Sequence, residues 1–134
     1  MSEEIRAYIR EEMKKARNAL KAAETLLIES LLDDSVSRAY YAVFHSARCA
    51  LKVKGIETKT HQGLIREFAL HLIKPGLIEV EYGDILRQEK EDRETGDYEV
   101  FATFELEEAQ KLVRDAKRFI ERIEKFLNDA GIGV

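Results

Sequence analysis

The chain has 134 residues, of which 45% are hydrophobic and 36% are charged, a balance that excludes a disordered chain and leaves room for one domain over residues 1–134. No apolar run approaches the roughly 20 residues that cross a bilayer, and the acidic start Met1–Glu4 is atypical of a signal peptide. We therefore expect a soluble protein with no membrane partner, and the single cysteine, Cys49, favours a reducing cytoplasm. The net charge of −4 by itself argues against a nucleic-acid partner.

The first predicted helix runs from Ser2 to Leu31. Ser2 is a suitable N-cap because its hydroxyl can accept a hydrogen bond from the first turn, where Glu3 and Glu4 lie near the positive end of the helix. Its apolar positions recur at spacings of three and four: Ile5, Ile9, Met13, Ala16, Leu20, Ala23 and Leu27. A narrow stripe of this kind is typical of a coiled coil or a helical bundle.

The second predicted helix is capped by Asp33–Asp34 and continues to Lys54. Gly55 then ends it, because glycine readily adopts the left-handed conformation that follows a helix. The third helix starts at Thr58 or Thr60 and continues to the proline and glycine at positions 75 and 76.

A shorter fourth helix is predicted over residues 77–93, followed by a loop over residues 94–98. Thr103 is expected to cap the last helix, which ends before Gly131. No segment alternates polar and apolar residues with period two, so no strand is predicted and the fold class is all-α. Abundant Lys, Glu and Arg beside only five Asn and Gln residues give a thermophile-like composition.

The charged residues are distributed unevenly along the chain. Residues 36–75 hold seven Lys and Arg residues against two acids, a local net charge of +5, together with all three histidines. Residues 76–108 hold three Lys and Arg residues against twelve acids, a local net charge of −9. An anionic ligand is therefore expected at the middle of the chain.

The second helix separates into two faces when its residues are projected at about 100° per position. The predicted core face consists of Val36, Ala39, Tyr40, Val43, Phe44, Ala47, Ala50 and Leu51. The opposite face carries Asp34, Arg38, Tyr41, Ala42, His45, Cys49 and Lys52. Arg38 and His45 differ by only about 20° in direction and about 10.5 Å along the axis, with Tyr41 between them.

Three interpretations of the Arg38–Tyr41–His45 stripe are open at this stage. It could be a solvated polar face, or a dimer seam, since interfaces favour Tyr and Arg. It could also be a site for an anion or an RNA phosphate, which Arg38 would hold beside a histidine, the residue type that exchanges protons near neutral pH. Spacing alone does not decide among the three.

The run SRAYYAVFHSAR at residues 37–48 resembles the signature helix of HEPN-domain proteins, specifically their small stand-alone prokaryotic branch. Three weaker features fit the same branch. They are KTH at residues 59–61, Arg93 followed by Asp97 and Tyr98, and a phenylalanine-containing cap of the last helix. The resemblance covers about residues 5–127.

The resemblance implies an up-and-down antiparallel bundle of four to five helices that dimerises. Such domains are often encoded beside a minimal nucleotidyltransferase, in a toxin–antitoxin-type pair. Many are metal-independent endoribonucleases, marked by an Arg and a His with four to six residues between them and acting across the dimer cleft. Others bind nucleotide or RNA. Neither a cofactor nor a metal is expected for this branch.

The spacing of the ribonuclease motif occurs twice in the sequence, at Arg38 with His45 and at Arg66 with His71. On a continuous helix Arg66 and His71 point about 140° apart, so they could meet on one phosphate only if the helix broke between them. Arg38 and His45 converge without a break, and they are therefore the predicted pair.

The context of that pair departs from the ribonuclease motif at two positions. Ala39 follows Arg38 where a polar residue is usual, and Tyr98 stands where a later histidine is usual. We therefore favour a nucleotide- or RNA-binding module over the alternative, an endoribonuclease that uses Arg38 and His45 as catalytic residues. A purely structural dimer is a third interpretation. The predicted phosphate-binding residues are Arg38, Tyr41, His45, Arg48 and His61.

Two further groups of residues complete the predictions. His61 opens the third helix, where backbone amides could take an anion, although it could equally pack or cap there. Arg93 and Asp97 are expected to pair as a structural tether for Tyr98. The acidic stretch at residues 89–97 lacks the spacing of a calcium loop, so it is interpreted as a solvated face with no metal.

Overall fold

The structure is a computed structural model that describes residues 1–100 and 103–134. These residues form no strand. They form α1 (Glu3–Ile28), α2 (Leu32–Val53), α3 (His61–Phe68), α4 (Val80–Tyr98) and α5 (Leu106–Asp129), with a π-helical segment, Ala69–Ile73, directly after α3. The predicted all-α bundle is confirmed. Nothing helical in the described chain is both long and apolar enough to span a membrane.

The second helix, α2, is the central element of the bundle. It packs against α1, α4 and α5, and only residues 29–31 separate it from α1. Because that connection is short, α1 and α2 run antiparallel as neighbours. The largest fully buried side chains are Tyr40, Phe68 and Phe119. The core therefore forms around the face of α2 that the periodicity predicted.

Local capping follows the sequence at several helix ends. The Ser2 hydroxyl accepts from the backbone N–H of Ile5 at 3.2 Å, and the Thr60 hydroxyl accepts from that of Gly63 at 2.9 Å. Gly55 has a φ of +73°, the left-handed conformation expected just beyond the end of α2. These helix ends are determined by residues within one turn of each other, so their positions can be predicted from the sequence.

Other boundaries differ from the prediction. The first helix stops at Ile28 because Ser30 adopts a φ of +62°, which ends the helical hydrogen bonding before Leu31. The second helix then begins at Leu32, so Asp33–Asp34 lie inside its first turn and do not cap it. Their negative charge still favours that end of the helix.

The predicted loop at residues 94–98 is wrong, because α4 starts at Val80 and continues through Tyr98. An i,i+4 ion pair on this turn, Arg93 with Asp97, favours the helical conformation. The cap of α5 is Glu105 in a capping box with Glu108, not Thr103. Of the phenylalanines before α5, Phe104 packs in a small apolar cluster, and the one at position 101 lies outside the described residues.

Candidate nucleic-acid interface

A groove between α1 and α2, which we call the α1–α2 groove, brings the predicted stripe together. It has a volume of about 410 Å³ and is lined by Lys15, Asn18, Ala19, Ala22, Arg38, Tyr41 and His45. Arg38 is exposed, whereas Tyr41 and His45 are half-buried. The groove therefore presents two permanent cations, an amide, a phenol and an imidazole, a set of hydrogen-bond donors that suits a phosphate.

The exposed part of α2 is narrower than the sequence predicted. Ala42 and Cys49, assigned to the open face, are fully buried against α1, and the Cys49 thiol lies 3.5 Å from the carbonyl oxygen of Ile9. Burial raises the pKa of that thiol. Phe44, assigned to the core, is only half-buried. The solvent-exposed side of α2, which we call its open arc, is therefore centred near Tyr41. A projection of α2 alone does not show that α1 covers the neighbouring positions Ala42 and Cys49.

Glu12 of α1 lies beneath this arc and contacts two of its side chains, His45 and Arg48. Its side chain is only 7% exposed, with Oε2 at 3.5 Å from His45 Nδ1 and Oε1 at 3.1 Å from Arg48 Nε. Burial acts to raise the pKa of Glu12, but the neighbouring His45 and Arg48 outweigh it and lower that pKa below its usual value. A buried carboxylate anion therefore holds both side chains in place.

The contact with Glu12 fixes the orientation of the His45 ring. Nδ1 is buried on the side of Glu12, yet the side chain as a whole is 21% exposed and lines the α1–α2 groove. The opposite edge of the ring, which carries Nε2, therefore faces the groove. A histidine oriented by a carboxylate at one nitrogen can exchange a proton with a ligand at the other.

Tyr41 is held from the other side by α4. The Arg93 guanidinium donates to the Tyr41 hydroxyl at 2.9 Å and lies over the Tyr41 ring, 5.1 Å from its centroid. Arg93 Nε lies 2.8 Å from an Asp97 carboxylate oxygen. The predicted Arg93–Asp97 pair is thus present. Its arginine holds Tyr41, whereas Tyr98, the residue that the pair was predicted to tether, is 75% exposed.

The remaining two predicted phosphate-binding residues lie outside the groove. His61 hydrogen-bonds through Nδ1 to the Tyr40 hydroxyl and stacks on Phe44 with ring centroids 4.7 Å apart. Burial, aided by the nearby Arg93, lowers the pKa of His61, so its ring is neutral at physiological pH. Arg48 lines a separate, smaller pocket at the far end of α2.

Comparison with known proteins agrees with this architecture. The pattern of the HEPN domain matches residues 9–126. The chain is also 36% identical to "Putative toxin MJ0605" of Methanocaldococcus jannaschii, over 96% of each chain. The chain belongs to the HEPN-domain family.

Two other relatives support the assignment. The HEPN chain is 34% identical to a UPF0332 protein of Thermotoga maritima, over 87% of this chain and 88% of that one. It is 31% identical to "Putative toxin MJ0142" of Methanocaldococcus jannaschii, over 86% of this chain and 78% of that one. In this HEPN domain the signature helix is α2, whose open arc forms one wall of the α1–α2 groove.

The second Arg–His pair of the HEPN chain has a different setting. The helix does change between the two residues, from α to π at Ala69, and both side chains reach Glu67. His71 Nε2 lies 3.0 Å from one oxygen of Glu67 and Arg66 Nε lies 3.6 Å from the other. The carboxylate comes from their own helix, and the Arg66 side chain is 71% exposed. This pair therefore forms a local surface cluster.

The contribution of α1 to the site was not predicted from the sequence. Glu12 did carry a signal, since it lies three residues after Ile9 and four before Ala16, within the buried stripe of its helix. Lys15 and Asn18 carried none, because a polar residue on the outer face of a helix looks the same whether or not a groove lies beside it. Among the described residues, no cluster of three or more His, Cys, Asp or Glu side chains is arranged to hold a metal.

Proposed function

We propose that this HEPN domain binds a nucleotide or RNA through phosphate in the α1–α2 groove. We further propose that it does so in the cytoplasm as a homodimer, paired with a minimal nucleotidyltransferase in a toxin–antitoxin-type system. The observation that carries the binding function is the convergence of Arg38, Tyr41 and His45 with Lys15 in one groove.

The electrostatics of the groove support an anionic ligand. Arg38 offers a planar fork of donors that matches two phosphate oxygens, and Lys15 adds a second positive charge from the opposite wall. Glu12 does not cancel this charge, because its carboxylate is already shared by His45 and Arg48. The α2 wall of the groove also belongs to residues 36–75, the chain segment with a local net charge of +5.

The toxin–antitoxin part of the proposal is supported by the relatives. Two of the proteins to which this chain is similar carry the word toxin in their names. Sedimentation of the purified protein is expected to give twice the mass of the chain. Co-expression with a nucleotidyltransferase encoded beside it is expected to yield a complex that co-purifies. A monomer, or a nucleotidyltransferase that elutes separately, would contradict the respective part.

A binding measurement tests the groove directly. Labelled single-stranded RNA is titrated with protein in EDTA and low salt, using wild type, Arg38→Ala and Lys15→Ala. Each substitution is expected to weaken binding about tenfold and to reduce the slope of log affinity against log salt by about 0.7, the value for one single-stranded phosphate contact. The matched control is Arg66→Ala, because Arg66 is an exposed arginine of the second Arg–His pair.

The outcomes separate the groove from general electrostatics. Weaker binding by Arg38→Ala and Lys15→Ala, with little change for Arg66→Ala, supports the proposal. Equal losses for all three variants would mean that the RNA senses only the overall charge. No binding by wild type would reject the binding function. Thermal unfolding of each variant, expected at the wild-type temperature, verifies that the exposed substitutions leave the fold intact.

One observation favours a second candidate, a metal-independent endoribonuclease. The Glu12 carboxylate orients His45 so that Nε2 faces the groove that Arg38 lines. In this reaction the 2′-oxygen forms a bond to phosphorus while the bond to the 5′-oxygen breaks. His45 takes the proton from the 2′-hydroxyl and delivers it to the departing 5′-oxygen, and Arg38 stabilises the negative charge on the pentavalent phosphate.

A cleavage assay with Arg38→Ala, His45→Ala and the control His71→Ala distinguishes catalysis from binding. Labelled RNA is incubated with protein in EDTA, and the products are separated by length. Cleavage by wild type and by His71→Ala, but by neither Arg38→Ala nor His45→Ala, would establish the ribonuclease. Intact RNA that is bound in a salt-sensitive manner would establish the binding module without catalysis.

A further inference from the structure

A second, smaller pocket lies at the other end of the open arc of α2. It has a volume of about 140 Å³ and is lined by Tyr8, Arg48, Leu51, Lys52, Ile56, Glu57 and Thr58. At about 30 Å³ per water molecule, this volume holds about four or five waters, enough for one phosphate group. We call it the Tyr8–Lys52 pocket.

The Tyr8–Lys52 pocket is built from donors held in fixed positions. Arg48 is fixed by the buried Glu12, and its guanidinium donates to the Tyr8 hydroxyl at 3.0 Å. The Lys52 ammonium lies 5.0 Å from the centroid of the Tyr8 ring. Because these cations are held by neighbouring groups, an anion entering the pocket would need little reorganisation of the protein.

A carboxylate already occupies the mouth of the pocket. Glu57, from the loop after α2, lies 2.6 Å from the Lys52 ammonium, and that contact is the main cause that lowers the pKa of Glu57. Its side chain is 79% exposed. An ion pair this exposed is worth little, so a better anion can displace the carboxylate.

The Tyr8–Lys52 pocket and the α1–α2 groove lie one after the other along α2, with Arg38 and Arg48 about 80° apart around its axis. Arg38 and Arg48 are ten residues apart, which is about 15 Å along the helix axis. A strand stacked as in a duplex has a phosphate about every 3.4 Å along the axis, so this distance corresponds to about four steps and about five phosphates. Tyr41 is half-buried and lines the α1–α2 groove, so its ring offers aromatic surface there on which a base of a single strand can stack.

We propose that the Tyr8–Lys52 pocket is a second phosphate subsite for the same single-stranded RNA, and that Glu57 occupies it in the free protein. This inference rests on the proposed function, since the first subsite is the α1–α2 groove. It specifies the ligand as a single strand of at least about five nucleotides. It also assigns binding roles to Lys52 and Tyr8, and a competing role to Glu57.

The test is a length series of single-stranded oligoribonucleotides of two, four, six and eight nucleotides. Their affinities are measured with the full chain in EDTA and low salt. Wild type is expected to bind the longer strands at least tenfold more tightly than the dinucleotide, because binding at one subsite raises the effective concentration of the strand at the other. Duplex RNA of the same sequence is expected to bind more weakly.

Two variants with matched controls identify the second subsite. Lys52→Gln is expected to weaken binding of the longer strands about fivefold without affecting the dinucleotide. Its control is Lys54→Gln, an exposed lysine beyond the end of α2. Glu57→Gln is expected to tighten binding of the longer strands about fivefold. Its control is Glu81→Gln, which removes the same charge from an exposed ion pair with Arg118 between α4 and α5.

Each outcome supports or overturns one part of the argument. If Lys52→Gln matches Lys54→Gln, or Glu57→Gln matches Glu81→Gln, the second subsite is overturned. If at the same time Arg38→Ala still weakens the dinucleotide, the proposed function survives. If Arg38→Ala leaves the dinucleotide unaffected while Lys52→Gln weakens the longer strands, the proposed groove fails and the Tyr8–Lys52 pocket stands alone. Absence of binding at every length overturns both.

Discussion

Two buried glutamates, Glu12 in α1 and Glu89 in α4, show how strongly the partner of a carboxyl determines its charge. Glu12 is 7% exposed and contacts His45 and Arg48, and its pKa is lowered. Glu89 is fully buried, and neither of its oxygens has a hydrogen-bond partner among the described residues. Burial raises the pKa of Glu89 well above its usual value, and the nearby acids Asp115 and Asp92 raise it further.

The comparison teaches that burial alone does not predict what a carboxyl does. Beneath the proposed interface the Glu12 carboxylate contacts His45, which lines the α1–α2 groove, and Arg48, which lines a separate pocket. Between α4 and α5 burial instead favours the protonated form of the Glu89 carboxyl. Only the first arrangement places a buried anion beneath side chains of the proposed phosphate-binding side of α2.

The largest effect is expected for Glu12→Ala. This change leaves Arg48 without its buried counter-charge and His45 without its carboxylate neighbour, and we expect a loss of about 2 kcal/mol in the free energy of unfolding. This is less than the about 3–5 kcal/mol for a fully buried pair, because Arg48 is partly exposed. The control Glu11→Ala, on the exposed side of α1, should change stability by less than about 0.5 kcal/mol. Urea denaturation at pH 7 measures both.

The pH dependence of this loss has a definite sign. Because the folded-state pKa of Glu12 is lowered, its contribution is present above the unfolded value of about 4.5 and is lost as pH falls through the folded value. The difference between wild type and Glu12→Ala should therefore shrink in acid. A difference that persists unchanged at pH 3 would mean that packing, and not charge, accounts for the effect.

A smaller effect of opposite pH dependence is expected for Glu89→Gln. The folded-state pKa of Glu89 is raised, so its stabilising contribution is full below about pH 4.5 and is lost as pH rises through the folded value. Within this window wild type should lose stability relative to Glu89→Gln by at most about 1.4 kcal/mol per pH unit. The exposed neighbour Glu91, changed to Gln, is the control. Parallel stability profiles for wild type and Glu89→Gln between pH 5 and 8 would contradict the assignment.

The smallest effect is expected for Glu67→Gln, which adds an exposed glutamate to the comparison of the buried Glu12 and Glu89. Like Glu12, Glu67 contacts a histidine and an arginine, His71 and Arg66. Both partners are exposed, however, so the pair should contribute less than about 0.5 kcal/mol. Chemical denaturation in low and high salt measures it. A loss as large as that for Glu12→Ala would show that burial of the cluster is unimportant.

The elements themselves were largely predictable from local pattern. Stripes at spacings of three and four define α1, α2 and α5, and Ser2, Thr60 and Gly55 mark helix ends through groups within one turn. The prediction of helix ends was wrong where residues that favour a loop lie next to residues that favour a helix. Glycine at position 96 and several polar neighbours predicted a loop, yet the chain remains helical through Tyr98. A single glycine costs a helix only about 1 kcal/mol, which ion pairs and packing can offset.

The sequence by itself determined which residues lie on the same stripe of α2, because helical periodicity depends only on the spacing of residues along one chain. It also determined the family, since the signature run is local. Only the tertiary structure decided that α1 buries Ala42 and Cys49, supplies Glu12 and Lys15, and turns the stripe into a groove. Those facts depend on contacts between helices, and a helical projection contains no information about what packs against it.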